Sequence, residues 1–486
     1  MLHADAIPKR ADRDPPPLSR KHLSFDPLIR VVHRHAQPLL DTRSREGSYS
    51  IADAVMSAIA MFSLKDSSLL AFQQRRNDHN MKTLYLIENV PSDTQMRELL
   101  DPVLPSSLRP MFGGVFRQIQ RAGALKPFVF HEDCYLLSVD GTQYFTSKNV
   151  HCDCCLQSEN KKTGEITYSH QMLAAVLVHP DQKQVMPFAP EPIVKQDGES
   201  KNDCERNAAK RLLTQIRDEH PNLKLIVVED GLASNAPHIE LLKSLRMHFI
   251  LGAKPDDHEH LFDQAIQAEE EGRATSITWT ERGPKNTEIL CEISFVEDLA
   301  LNKTHPNLRV NFLQYVEYGP DGHERKKFSW VTDLAITEDN AQHLSRGGRA
   351  RWKVENETFN TLKNQDYHFE HNYGHGKINL PVVLAMLMML TFLLDQTQEM
   401  SCPLFQAVHE KYTSRRSVWD HLRSHFRHFN FESMQQLYEV MLGDLAMNLP
   451  PPTHASRRAS HRTSPTQHAT DDSHSASTRI YETESG

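Results

Sequence analysis

The chain has 486 residues, of which 39% are hydrophobic and 24% charged, and it carries a formal net charge of −8 with histidine neutral. That length exceeds one simple core and leaves room for about three domains. The acidic balance excludes a globally basic nucleic-acid binder, so any such surface must be a local patch.

The opening MLHADAIPKRADRDPPPLSRK lacks the apolar run of a secretory signal, so a cytoplasmic protein is expected. Seven cysteines, three of them packed into HCDCC, suit reduced thiols better than a disulfide framework. Residues 1–45 read as a disordered or extended basic arm, and 450–486 as a disordered tail rich in Ser, Thr, His and Arg. Residues 46–125 read as helical. SIADAVMSAIAMFSLKDSSLLAFQQRR is amphipathic, and PSDTQMRELLD is a short helix with Ser92 or Asp93 at its N-cap.

From about residue 130 the pattern turns to strands. CYLLSVD, SHQMLAAVLVHP and QVMPFAPEPI come first; then helix (KNDCERNAAKRLLTQIRDEH) and strand (LKLIVVED) alternate, which predicts a mixed α/β core over 126–380. Neither a Gly-rich dinucleotide fingerprint nor a P-loop is present. Residues 275–335 return to strands as a β-rich insertion, and helices resume near Thr337. A helical C-terminal region over 381–449 opens with VVLAMLMMLTFLL behind Pro381. Its 13 residues fall short of the ~20 that cross a bilayer, so a buried helix and no membrane contact are expected.

Two apolar strands run into carboxylates: LLSVDGTQYF into Asp140 and LIVVEDGLASN into Glu229 and Asp230. An Asp-Gly pair is also a common turn. Adjacent parallel strands, however, bring such ends to one sheet edge. A third acid is offered by GGRARWKVENETFNTLKN, where Arg351 and Glu355 lie about 40° apart on a helix and Glu357 points about 200° away from Glu355. A solvated Arg351–Glu355 pair is the plainer alternative. Three carboxylates could hold two divalent ions, one activating a water or 3′-hydroxyl and the other stabilising the leaving oxygen.

Together these three stretches resemble the DDE transposases of bacterial insertion sequences. The resemblance covers about residues 50–395 and implies an RNase H-like mixed sheet flanked by helices, with a β-insertion before the glutamate. It further implies Asp140, Asp230 and Glu355 as catalytic metal ligands, two Mg²⁺ (or Mn²⁺) ions, and double-stranded DNA (terminal inverted repeats and target) as partner. A homodimer on DNA is implied too, with the helical 46–125 region at the DNA ends. Of the subgroup's Tyr-x2-Arg-x3-Glu-x6-Lys signature, Arg351 and Glu355 match; Gly348 stands at the tyrosine position, and Lys363 lies one step past the lysine position. The departures put the subgroup's hairpin chemistry in doubt. The resemblance assigns Arg351, Arg349 and Lys363 to phosphate, and Trp330 in the insertion to stacking an unpaired base, with packing in a core as the alternative.

A catalytically inactive DNA-binding descendant remains an alternative. Haloacid-dehalogenase-type phosphatases also place Asp-Gly-Thr after a strand, and Lys254 and Asp256–Asp257 follow in order, but their nucleophile position is Ser138 here. Cys152 and Cys155 have Cys-x2-Cys spacing and, with His170 and Cys204, could form a structural zinc site. In RRSVWDHLRSHFRHF, Trp419, Leu422, Phe426 and Phe429 form an apolar stripe, beside a basic one of Arg416, Arg423 and Arg427 that suits either solvent or DNA phosphates.

Overall fold

Phe25, Leu28, Ile29 and Val32 recur at helical spacing, and a helix, α1 (Phe25–Ala36), forms there and buries that face. An extended arm up to residue 45 is therefore incorrect: the charged and histidine residues of FDPLIRVVHRHA dilute its composition without breaking its apolar stripe. The computed structural model describes residues 22–41, 43, 47–194, 204–283 and 287–443, all in one compact unit. The expected arm before residue 22 and the expected tail after 449 lie outside these residues.

Helices continue as α2 (Ile51–Ser63), α3 (Leu69–Gln73), α4 (His79–Tyr85), α5 (Asp93–Leu100) and α6 (Arg109–Arg121). Ser92, not Asp93, caps α5: its side chain accepts from Gln95 N while the Gln95 side chain returns to the Ser92 backbone. The α2 helix is buried along its whole length.

The strands follow: β1 (Val129–His131), β2 (Cys134–Ser147), β3 (Leu156–Glu159), β4 (Ile166–Val178), β5 (Met186–Pro187) and β6 (Glu191–Ile193). Then α7 (Glu205–Glu219), β7 (Leu225–Glu229), α8 (Ala236–Ser244), β8 (His248–Gly252) and α9 (Glu259–Glu270) alternate. The β-rich stretch forms β9 (Thr275–Arg282), β10 (Glu288–Ala300), β11 (Arg309–Tyr318) and β12 (Glu324–Thr332).

All twelve strands join one sheet, in the order β3-β4-β2-β7-β8-β12-β11-β10-β9, with β1 on β2 and β5 and β6 on β4. β2 is antiparallel to β4 and parallel to β7, which is parallel to β8. This is the RNase H-like mixed core. The β-insertion is not a detached sheet, because β12 pairs antiparallel with β8 through Trp330↔Gly252 and extends the core.

The chain ends with α10 (Ala341–Arg349), a 3₁₀ turn (Ala350–Trp352), a π-helical stretch (Val354–Phe359) and α11 (Asn360–Asn364). After these come α12 (Leu380–Ser401), α13 (Pro403–Tyr412), α14 (Arg415–His428) and α15 (Met434–Leu442). The α12 helix runs 22 residues, past the 13-residue apolar run, because Asp395, Gln396, Thr397 and Gln398 find buried partners or packing and extend it. It is long and apolar enough to cross a membrane, yet its most apolar window lies wholly inside the protein, as a core helix does. Asp395 accepts from Lys65 Nζ at 2.7 Å and from the Tyr367 hydroxyl at 2.5 Å, tying the N-terminal helices to α12.

Candidate active site

Asp140 sits within β2, half-buried, at the point where the buried run of that strand ends. Ser138 pairs with Val228, so the same parallel register sets Asp140 level with Asp230 at the end of β7. Of the two acids that close β7, Glu229 is buried and accepts from His238 Nε2 at 2.5 Å. Burial works against a charge on His238, but the Glu229 carboxylate overrides it and raises the pKa. Glu229 is thus committed to the interior. Asp230 turns the chain, its carboxylate accepting from Leu232 N at 3.0 Å.

The third acid lies on an irregular helix. A single α-helix through GGRARWKVENETFNTLKN is the expectation; instead α10 tightens to 3₁₀ at Ala350 and widens to π over Val354–Phe359. Ser138 donates its hydroxyl to the carbonyl oxygen of Arg351 at 2.9 Å, drawing that carbonyl toward β2. A side chain engaging the helical ladder from outside is a recognised cause of such irregularity. Arg351 then directs one nitrogen, Nη1, to both Asp140 Oδ2 at 3.3 Å and Glu355 Oε1 at 3.0 Å. The expected Arg351–Glu355 pair is therefore not a solvated surface pair alone; it closes onto Asp140.

The crowding has an electrostatic signature. Burial first, and then the neighbouring Glu355 carboxylate, push the Asp140 pKa up to about 7 against the pull of Arg351. A fourth acid, Glu205 at the first turn of α7, also reaches this edge. Its carboxylate occupies the space a Cβ on Gly141 would take, and burial followed by Asp230 raises its pKa. Nothing in the spacing of the other acids signals Glu205; only the Gly141 next to Asp140, which leaves room for it, is visible in the sequence.

Beside these acids opens a cavity of about 880 Å³, lined by Asp230, Lys254, Lys327, Arg346, Arg349, Arg351 and Lys353 among others. Four of these cations, Arg346, Arg349, Arg351 and Lys353, come from the single stretch RGGRARWK. Glu357 also lines it together with Asp230 and Arg351, whereas Asp140 and Glu355 are not among the lining residues. Arg349 lies over the rings of Tyr315 and Phe328 and 3.7 Å from Glu317. Lys363 is not on this cavity; it pairs with Glu370 at 2.9 Å.

Trp330 lines the cavity but is only 5% exposed, stacked beside Phe328 and pressed onto Gly348. A Cβ at 348 would meet the indole nitrogen, which explains glycine where the resembled signature has tyrosine. The exposed tryptophan here is Trp352, which sequence inspection passed over. On α14, Trp419, Leu422 and Phe426 are buried, whereas Arg416 pairs with Asp366 and Arg423 with Asp420. Ser138 is buried at the phosphatase nucleophile position, and Asp256 and Asp257 lie exposed in a separate turn, so an aspartyl-phosphate site is not assembled.

Cys152, Cys155 and His170 come together as expected, but with His375; Cys204 is exposed at the N-cap of α7. Cys204 was expected for its place in the sequence, while His375 is distant in sequence and enters through the loop before α12.

Residues 137–393, more than half of the chain, match the family described as the transposase DDE domain. The match runs from β2 into α12 and takes in Asp140, Asp230 and Glu355. No curated protein matches the chain.

Proposed function

Because the chain belongs to the DDE transposases, a family that acts on DNA with divalent metal ions, we propose that it cuts and joins DNA at the ends of a bacterial insertion sequence. Asp140, Asp230 and Glu355 are its metal ligands. The observation that carries this reading is the single guanidinium nitrogen shared by Asp140 and Glu355, carboxylates from a strand and a distant helix. Burial, with the Glu355 carboxylate beside it, pushes the Asp140 pKa up to about 7, and Asp230 borders the pair by strand register. Such an all-oxygen donor set suits Mg²⁺ or Mn²⁺. Held there, two such ions would activate a water or 3′-hydroxyl and stabilise the leaving oxygen.

The protein's own groups orient the substrate. Arg351 offers the rest of its guanidinium to a phosphate, and Arg349, Lys254, Lys327 and Lys353 provide a basic wall for the DNA backbone. A homodimer would hold the two inverted-repeat ends, with target DNA as the second partner.

The test is metal-dependent nicking of duplexes carrying the repeats that flank the reading frame. Asp140→Asn, Asp230→Asn and Glu355→Gln should each abolish cleavage while DNA binding survives in a gel-shift assay. Near-normal cutting by Glu355→Gln would show that the triad is wrongly assigned, and wild-type binding without cutting would favour the inactive DNA-binding alternative.

A further inference from the structure

Four metal-ligating side chains outside the acid site converge on one point. Cys152 and Cys155 lie on the β2–β3 connection, His170 on β4, and His375 on the loop between α11 and α12. Cys152, Cys155 and His170 are buried, and His375 turns its ring inward from a partly exposed loop. The two sulfurs are 3.8 Å apart. His170 Nε2 is 3.3 Å from each sulfur, and His375 Nε2 is 3.3 Å from Cys155 Sγ. All four ligand atoms fall within 4.8 Å of one another.

Those separations are the edges of a small tetrahedron. Zinc–sulfur bonds of about 2.3 Å and zinc–nitrogen bonds of about 2.0–2.1 Å place sulfurs about 3.8 Å apart and sulfur and nitrogen about 3.5 Å apart. The Cys-x2-Cys turn is shaped accordingly: Cys155 N donates to Cys152 O at 3.2 Å, and Cys152 N donates to Cys155 Sγ at 3.4 Å. As hydrogen-bond partners alone the four groups satisfy one another poorly. Thiols are weak donors and acceptors, and the Nδ1 atoms of His170 and His375 are buried with no hydrogen-bond partner. A cation bound by the two sulfurs and the two Nε2 atoms accounts for their convergence, while both Nδ1 atoms stay without a partner. With no carboxylate behind either imidazole, its affinity must rest on the two thiolates.

We infer that Cys152, Cys155, His170 and His375 form a closed structural zinc site. It joins the β2–β4 pair, which carries Asp140, to the chain that leaves the Glu355 segment. His170 pairs with Phe145 across that ladder. On the other side, His375 sits between Gly374 and Gly376, just before the N-terminus of α12. Neighbouring contacts run the same way: Asp153 N donates to Lys377 O at 3.2 Å. Four protein ligands leave no open position, so the role is to hold structure, not to activate water.

Full-length protein purified without chelators should contain about one zinc per chain by mass spectrometry. Stripping the metal with 1,10-phenanthroline should lower the melting temperature, and one equivalent of zinc should restore it. Cobalt substitution should give the intense visible bands and thiolate charge transfer of a tetrahedral centre. Cys155→Ser should lose the metal while Cys204→Ser retains it; if Cys155→Ser does not fold, the wild-type cobalt spectrum still decides. No stoichiometric zinc, an octahedral cobalt spectrum, or an unchanged melting temperature after stripping would each overturn the site. Metal loss in Cys204→Ser would overturn the ligand set. None of these readouts depends on DNA cleavage, so the zinc site and the transposase reading stand or fall separately.

Discussion

Ser138 on β2 donates to the carbonyl oxygen of Arg351 in the 3₁₀ turn after α10 at 2.9 Å, across 213 residues of chain. The bond fixes the backbone of the residue whose guanidinium spans Asp140 and Glu355. Ser138→Ala should therefore act at two levels. Losing a buried hydrogen bond should cost about 1–3 kcal/mol in denaturant unfolding. Cleavage should fall by more than stability alone explains, with a higher metal concentration needed for half-maximal rate. A variant with wild-type metal dependence would reduce Ser138 to a packing residue.

Glu205 should matter through its charge at the edge shared by Asp140 and Asp230. Glu205→Gln keeps the shape and removes one acid, so the metal concentration for half-maximal cleavage should shift several-fold while the melting temperature holds. Glu357→Gln, at a cavity-lining acid that helical spacing sets about 200° from Glu355, should cut within a few-fold of wild type. If the two variants exchange these behaviours, the acid facing the metals has been misassigned.

The three proposed acids stand out locally in the sequence: Asp140 and Asp230 follow apolar strand runs, and Glu355 keeps helical spacing to an arginine, although β2 runs on past Asp140 to Ser147. What escaped was whatever depends on tertiary contact. Glu205 reaches the site because α7 packs against β4 and β6 and turns its first residue toward Gly141, and His375 joins the thiols through a loop over 200 residues downstream. The π stretch at Glu355 follows the turn whose Arg351 carbonyl accepts from Ser138, a long-range contact that no propensity in VENETF reveals. The α1 stripe was present in the sequence but masked by its polar surroundings. Gly348 departs from the resembled signature because the Trp330 indole occupies the space a side chain there would take.

His220 is buried among Phe116, at 4.8 Å between ring centroids, and Phe188, at 5.2 Å. Burial, helped by Arg117, Arg109 and Arg217, lowers its pKa to about 4. Between that value and about 6.5 the unfolded chain binds a proton that the native state refuses, so stability rises with pH across this window and is lost as pH falls through it. The full effect is at most about 3 kcal/mol. Denaturant midpoints should drop between pH 7 and pH 5, and His220→Gln should flatten that segment. An unchanged slope in the variant would place the proton uptake elsewhere.

Lys65 and Asp395 form a buried pair at 2.7 Å, with Lys65 over the rings of Tyr367 and Trp419. Burial lowers the lysine pKa and raises that of the aspartate, so each charge depends on the other. Asp395→Asn should destabilise by about 3–5 kcal/mol because it strands the lysine, whereas Lys65→Met with Asp395→Leu should cost much less. A double variant as unstable as the single one would mean that packing, and not charge, is at stake.

The two tryptophans near Arg351 should separate structure from recognition. Trp330 is 5% exposed and rests on Gly348, so Trp330→Ala opens a cavity between β12 and α10 and should cost about 3–5 kcal/mol, with every DNA activity falling together. Trp352 is 50% exposed at the cavity, its ring edge-on to Phe328 at 5.6 Å. An exposed indole beside the arginine proposed to hold phosphate would be a platform for an unpaired base, and such stacking is worth roughly 1–3 kcal/mol. Trp352→Ala should hold the wild-type melting temperature, bind intact duplex normally, and lose affinity for DNA with an unpaired base at the cleavage point. Fluorescence anisotropy with the two DNAs measures the difference. If Trp330→Ala keeps its stability and loses only the unpaired-base preference, the stacking face belongs to Trp330 after all.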